Sequence, residues 1–123
     1  VNHLAAWLDA RSEVARVMHP ALPSDPGHAI WKRDFTGSAG LFSIVLDTKD
    51  DAKAVAFVDA LQLFGLGFSW AGHESLAVLP DFSDRTCSAP TDEGIVVRLQ
   101  IGLENVEDLQ ADIEQAFSAA GLA

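Results

Sequence analysis

Arg98 is the residue of this sequence whose position most needs a chemical explanation. It stands inside residues 94–117, GIVVRLQIGLENVEDLQADIEQAF, where Ile95, Val97, Leu99 and Ile101 alternate with Val96, Arg98 and Gln100. That alternation predicts a strand with one wholly apolar face. A guanidinium in so apolar a strand must meet water or an anion, because burying it unpaired is strongly unfavourable. Its planar fork of donors suits a carboxylate held through two hydrogen bonds. The carboxylate belongs either to one of the chain's own acids, as an internal salt bridge, or to a ligand.

The other reactive side chains offer less. His3, His19, His28 and His73 never fall at the spacing of a metal site, and Cys87 is far from all of them. They read as surface or packing histidines. No serine sits in a nucleophile elbow. Lys32, Lys49 and Lys53 lie beside Arg33, Asp34, Asp50 and Asp51 and read as solvated charges, since a Schiff-base lysine needs desolvation or a cationic neighbour. The run Thr36-Gly37-Ser38-Ala39-Gly40 follows a helix and precedes a strand, the reverse of a phosphate-binding loop, so it is an ordinary connection. What remains is Arg98 and a Ser69-Trp70 pair next to a glycine bend.

The elements that must position these residues are legible as patterns. After the 94–101 strand, Asn105 caps a helix with Glu107 and Asp108 at its dipole end and Val106, Leu109, Ile113, Phe117 and Ala120 along one stripe. Upstream, Asn2 caps a helix carrying Leu4, Trp7, Leu8 and Arg11, and a strand spans 14–18. Asp25 precedes Pro26 as the cap of a helix over 27–35. Residues 41–46 are almost continuously apolar, as a central strand covered on both faces would be. Asp50 or Asp51 caps a helix over 52–64 with Val55, Val58, Leu61 and Phe64 inward, and Gly65-Leu66-Gly67 ends it. A third strand spans 74–79, and 80–93 is a long polar loop. The order α β α β α β β α, without repeats or low-complexity tracts, predicts an α+β fold. It is a two-layer sandwich of a mostly antiparallel sheet of about four strands, with helices on one face.

Composition sets the outer limits. A chain of 123 residues is one domain with a sizeable core. Its 49% hydrophobic content beside a net charge of −10 predicts a surface acidic in parts and apolar in others, the apolar part covered by a partner. Eight basic residues scattered among eighteen acidic ones disfavour nucleic acid as a partner. The lone Cys87 forms no internal disulfide and points to a reducing compartment, here the cytoplasm. No signal segment or membrane-spanning run is present, so no membrane partner is expected. The chain begins at Val1 and its single Met is Met18, which reads as a piece of something longer.

Residues 19–27 (HPALPSDPG), 32–46 (KRDFTGSAGLFSIVL), 64–79 (FGLGFSWAGHESLAVL) and 94–117 together resemble the C-terminal domain of the Cys/Met-metabolism family of pyridoxal-phosphate enzymes. The likeness is greatest to its cystathionine β-lyase branch, and it runs in the family's order from residue 2 nearly to the end. The resemblance implies the aspartate aminotransferase fold, with residues 1–123 as its C-terminal small domain. That domain closes over an active site built mainly by a large domain, absent here. The pyridoxal phosphate, its aldimine lysine and the aspartate on its ring nitrogen belong to the large domain, so the resemblance implies no catalytic or cofactor-binding residue in this piece and no activity for it alone. By the same resemblance, Arg98 pairs with the substrate α-carboxylate, and Ser69 and Trp70 line that pocket. Arg98 then looks out of the sheet toward the large domain, across a face expected to be apolar and uncovered. Gln100 stands where a histidine is frequent, and Ala71 and His73 where glycine and an aromatic are frequent.

The implied reaction is α,β-elimination of an amino-acid thioether, cystathionine, to homocysteine, pyruvate and ammonia in methionine biosynthesis, by a homo-oligomeric (tetrameric) enzyme. The alternatives are a related γ-synthase or γ-lyase domain, or a free-standing regulatory domain that binds an amino acid.

Overall fold

The alternating run around Arg98 forms a strand at the centre of a five-stranded sheet. The computed structural model describes residues 1–88 and 91–123. In chain order its elements are α1 (Asn2–Asp9), β1 (Val14–Met18), α2 (His28–Asp34), β2 (Leu41–Leu46), α3 (Asp51–Ala60), β3 (Gly65–Leu66), β4 (Leu76–Val78), β5 (Ile95–Gln100) and α4 (Val106–Ala119). The sheet order is β1-β2-β5-β4-β3. β1–β2, β2–β5 and β4–β5 are antiparallel, and β3–β4 is parallel. The fold is therefore the expected α+β sandwich, with one more strand than expected.

The β2–β5 register pairs Phe42 with Leu99, Ile44 with Val97 and Leu46 with Ile95. These residues form one face with Val17 and Ala77, and the helices cover it with Leu4 and Leu8 of α1, Phe57 of α3, and Leu109, Ile113 and Phe117 of α4. Phe57 and Phe117 stack with ring centroids 5.0 Å apart, which locks α3 against α4. α2 buries no residue, and leaves Ile30 exposed on its surface. Asp50 caps α3 by accepting from the Ala52 amide at 3.0 Å, and Asn105 caps α4 by accepting from Glu107 and Asp108.

Two capping expectations and the extent of one helix fail for local reasons. Asn2 is already helical, Val1 being the N-cap, and its Oδ1 accepts instead from Ser38 Oγ at 2.8 Å. α1 also stops at Asp9, so Arg11 lies beyond it and forks onto Glu13 while reaching Glu114 on α4. Asp25 closes a turn onto the Gly27 amide at 2.7 Å rather than capping α2, whose N-cap is Gly27.

The largest departure is α3, which ends at Ala60 rather than near Phe64. The buried Asp112 carboxylate of α4 accepts the Gln62 amide at 2.9 and 3.1 Å and the Leu63 amide at 2.8 Å. Gln115 donates to the Ala60 carbonyl at 2.7 Å and to Asp112 at 3.0 Å. With these groups satisfied from another helix, Leu61 turns extended and Gly65 begins β3 instead of capping a helix. Leu61 and Phe64 stay buried as expected, but outside the helix, while Ala54 and Phe57 take the inward place expected of Val55, which is exposed.

The second sheet face is not the uncovered apolar surface expected. Val45 is fully buried there and Val96 nearly so. Pro80, Phe82, Arg85 and Thr91 stand opposite this face across a cleft of about 480 Å³. The exposed apolar side chains are elsewhere, notably Phe35 after α2 and Leu66, Phe68, Trp70 and Leu103 around β3.

Removing the Asp112 acceptor leaves the part-buried main-chain amides of Gln62 and Leu63 without their partner. Asp112→Ala is expected to cost about 2–4 kcal/mol in denaturant unfolding, the scale for losing charge-assisted buried hydrogen bonds. Asp112→Asn keeps one acceptor oxygen and falls between. A variant as stable as the parent would show that α3 ends for another reason.

Candidate functional site

Arg98 lies on the second face of β5, opposite Ser43 of β2 and Val78 of β4. Its Nη2 donates to the Phe68 carbonyl at 2.5 Å. Among the described residues the ion pairs are Arg11–Glu13, Arg11–Glu114, Arg16–Glu93, Arg33–Asp34 and His73–Glu74. None includes Arg98, so no salt bridge among the described residues accounts for it. The side chain is half-buried and lines the 480 Å³ cleft with part of its fork unused.

Gln100, one step along the same face, is buried and donates to the Ile101 carbonyl at 2.9 Å and the Gly72 carbonyl at 3.4 Å. The two side chains thus tie down both ends of segment 68–72. Ser69 and Trp70 fall between these ties with exposed side chains, and neither is hydrogen-bonded to Arg98. The structure therefore brings the expected trio together through the backbone, not through direct side-chain contacts. Ala71 has φ 64°, the left-handed region that costs an L-residue about 1–2 kcal/mol. This is the position where the resembling family frequently has glycine, and the backbone gives the reason.

The far root of the segment is a polar clamp. Ser75 donates its amide to Glu104 Oε1 at 2.8 Å and its hydroxyl to Oε2 at 2.7 Å, while Ser75 Oγ accepts from the Gly102 amide at 2.9 Å. The Leu103 amide donates to the His73 carbonyl at 2.9 Å. A Cβ on Gly102 would stand 2.2 Å from that carbonyl, so glycine is required. Burial pushes the Glu104 carboxyl up, but the Ser75 amide and hydroxyl outweigh it and hold the group below its ordinary value. Gln100 and the Ser75–Glu104 clamp are site-forming residues that sequence reasoning missed. The signal for Gln100 was available, since it shares the polar phase of β5 with Arg98.

The chain's lysines do not fit a pyridoxal-phosphate aldimine at this site. Lys32, Lys49 and Lys53 are exposed, Lys53 donates to the Gly121 carbonyl at 3.2 Å, and none lines the cleft. Among the described residues no three His, Cys, Asp or Glu gather as a metal site, and no helix is long and apolar enough to cross a membrane.

The family model for Cys/Met metabolism PLP-dependent enzymes matches residues 1–118. The chain is 59% identical over 122 residues to a Rhizobium johnstonii protein named provisionally as a cystathionine beta-lyase, covering 95% of this chain and 31% of the relative. It is 47% identical over 120 residues to the cystathionine beta-lyase of Salmonella typhimurium, covering 94% of this chain and 30% of that one. Among solved structures, a cystathionine gamma synthase from Xanthomonas oryzae pv. oryzae, in complex with aminoacrylate and cysteine, superposes with a TM-score of 0.81 at 34% identity. That match covers 98% of this chain and 32% of the other. The fold and the matched residues place the chain among pyridoxal-phosphate enzymes. The chain belongs to the Cys/Met metabolism PLP-dependent enzyme family. It spans about a third of the length of the relatives it matches.

Two outcomes follow from this geometry. Ala71→Gly is expected to stabilise the protein by about 1 kcal/mol, since glycine removes the left-handed cost. An unchanged or lower melting temperature would contradict the backbone reading. For the clamp, a carboxyl with a lowered folded pKa stabilises above its unfolded value and loses that contribution as pH falls through the folded one. The stability gap between the protein and Glu104→Gln should therefore be widest near neutral pH and narrow as the solution is acidified below the ordinary Glu range. A gap constant with pH would show that Glu104 is not ionised in its clamp.

Proposed function

We propose that this chain is the C-terminal small domain of a carbon–sulfur lyase, a cystathionine β-lyase of the cytoplasm, and that it supplies the pocket for the substrate α-carboxylate. The observation that carries this is Arg98: a half-buried guanidinium facing a cleft, without a carboxylate partner among the described residues, and with segment 68–72 held beside it. Similarity to proteins named cystathionine beta-lyase supports the activity. A γ-synthase is the second reading, favoured by the close superposition on such an enzyme.

In this assignment the chain binds and orients, and does not itself carry out bond cleavage. Two donors of Arg98 on one carboxylate fix its plane, and with it the direction of the bonds at the neighbouring carbon. Ser69 and Trp70 do not line the cleft itself, and approach the carboxylate from the exposed segment that Arg98 and Gln100 hold. The cofactor and its lysine belong to the part of the protein beyond this chain, which assembles as a homo-oligomer, a tetramer. The exposed Phe35, Phe68 and Trp70 are surfaces for those contacts.

The test is kinetic and uses the full-length enzyme. Arg98→Ala should lower kcat/KM for cystathionine by about 2–5 kcal/mol, the scale for truncating one member of a desolvated charge pair. Arg98→Lys keeps the charge but not the fork and should lie between, with cofactor content unchanged in both. A fall in melting temperature with kcat/KM intact would make Arg98 a structural residue and remove the proposal.

A further inference from the structure

Segment 68–72 has no packing of its own to hold it. All five residues are exposed, Phe68 and Trp70 by 73% and 60%. Its order therefore comes from polar ties at its two roots. On the near side Arg98 donates to the Phe68 carbonyl, but the Gly67–Ala77 main-chain contact and the Gln100–Gly72 contact are both long at 3.4 Å. The short set is at the far root. There Ser75 donates its amide and hydroxyl to Glu104 at 2.8 and 2.7 Å, and its Oγ accepts from the Gly102 amide at 2.9 Å. Hydrogen bonds to a carboxylate are roughly twice as strong as neutral ones, so Glu104 dominates the fastening.

The fastening holds a strained residue. Ala71 keeps a left-handed φ of 64° although its side chain is exposed. A strained backbone persists only where its surroundings over-determine it. Glu104 supplies that constraint by drawing the exit of β5 onto residues 73–75. The approach is so close that a Cβ on Gly102 would stand 2.2 Å from the His73 carbonyl oxygen and 2.6 Å from the Glu74 carbonyl carbon. With the far root loose, Ala71 relaxes to negative φ and the chain on either side of it swings. Three residues upstream is the Phe68 carbonyl, the acceptor that orients the Arg98 guanidinium.

We propose that Glu104 is a positioning residue for substrate binding: through Ser75 and Gly102 it holds segment 68–72 in its strained form and so keeps the Phe68 carbonyl on Arg98. Glu104 does not line the 480 Å³ cleft, so it acts on the population of the binding-competent form. The proposal rests on Arg98 as the α-carboxylate anchor and adds what keeps that anchor aimed. Apparent affinity falls in proportion to the competent fraction, while bound substrate restores that fraction. Loss of Glu104 is therefore read in KM and not in kcat.

The test uses full-length enzyme with cystathionine. Glu104→Gln, which keeps one acceptor oxygen of two, should raise KM about 10-fold with kcat within about twofold. Ala71→Gly added to it should recover most of the KM, because glycine removes the strain that the clamp restrains. Ser75→Ala deletes only a hydroxyl and should reproduce the KM effect if Glu104→Gln fails to give folded enzyme. Amide hydrogen exchange at Gly67 and Leu103, neither of which bonds to Glu104, is independent of turnover. Both amides should exchange faster in Glu104→Gln and slow again with Ala71→Gly. A lower melting temperature with KM and exchange unchanged would make the clamp a stability element and overturn the proposal. A raised KM that Ala71→Gly does not lower would overturn it as well. Arg98→Ala keeps the two ideas apart. If it leaves kcat/KM intact, the anchor reading falls and the positioning role with it; if it lowers kcat/KM while Glu104→Gln leaves KM alone, only the positioning role falls.

Discussion

The buried carboxylate of Asp112 is the constraint from which the site hangs. It reaches from α4 to the chain leaving α3 and takes the amides of Gln62 and Leu63, while Gln115 satisfies the carbonyl of Ala60. Burying a carboxylate is unfavourable unless its oxygens are hydrogen-bonded, and here the donors are main-chain amides freed by the end of a helix. The two needs are met together, which fixes where α3 stops. The chain then runs extended into β3, so that segment 68–72 begins beside Arg98 rather than one helical turn away.

From that root, the site depends on a division of labour between the sheet's faces. One phase of β5 is wholly apolar and meets the helices; the other carries Val96, Arg98 and Gln100. Gln100 is buried with its amide spent on the Ile101 and Gly72 carbonyls, so it acts as scaffold. Arg98 uses one donor on the Phe68 carbonyl and keeps the rest toward the cleft. The Ser75–Glu104 clamp and the close approach at Gly102 hold the other root, so the segment carrying Ser69 and Trp70 is fastened on both sides with its tip exposed. Fastening of this kind lets a binding group be held without lining its pocket with rigid secondary structure.

Charge adds a second layer. An acidic chain that gathers three arginines around one cleft has a local field opposite in sign to its net charge. Net charge governs solubility and long-range encounter, whereas the local field decides what settles in the cleft. The two are independent, which is why the overall excess of acids is no obstacle to anion recognition.

The sequence by itself determined the strand phases, the cap of α4 at Asn105, the cap of α3 to within the pair Asp50 and Asp51, the inward stripe of α4 and the outward direction of Arg98. These follow from periodicities of two and 3.6 residues and from side chains that bond their own backbone, all interactions within a few positions along the chain. It did not determine the end of α3, the parallel β3 or the fastening of segment 68–72. In each of these the deciding partner lies far away in sequence: Asp112 for Gln62, Ser75 for Gly65, Arg98 and Gln100 for Phe68 and Gly72. Local propensity carries no information about a hydrogen-bond acceptor fifty residues on, so only the tertiary structure could decide where the helix yields and the site begins.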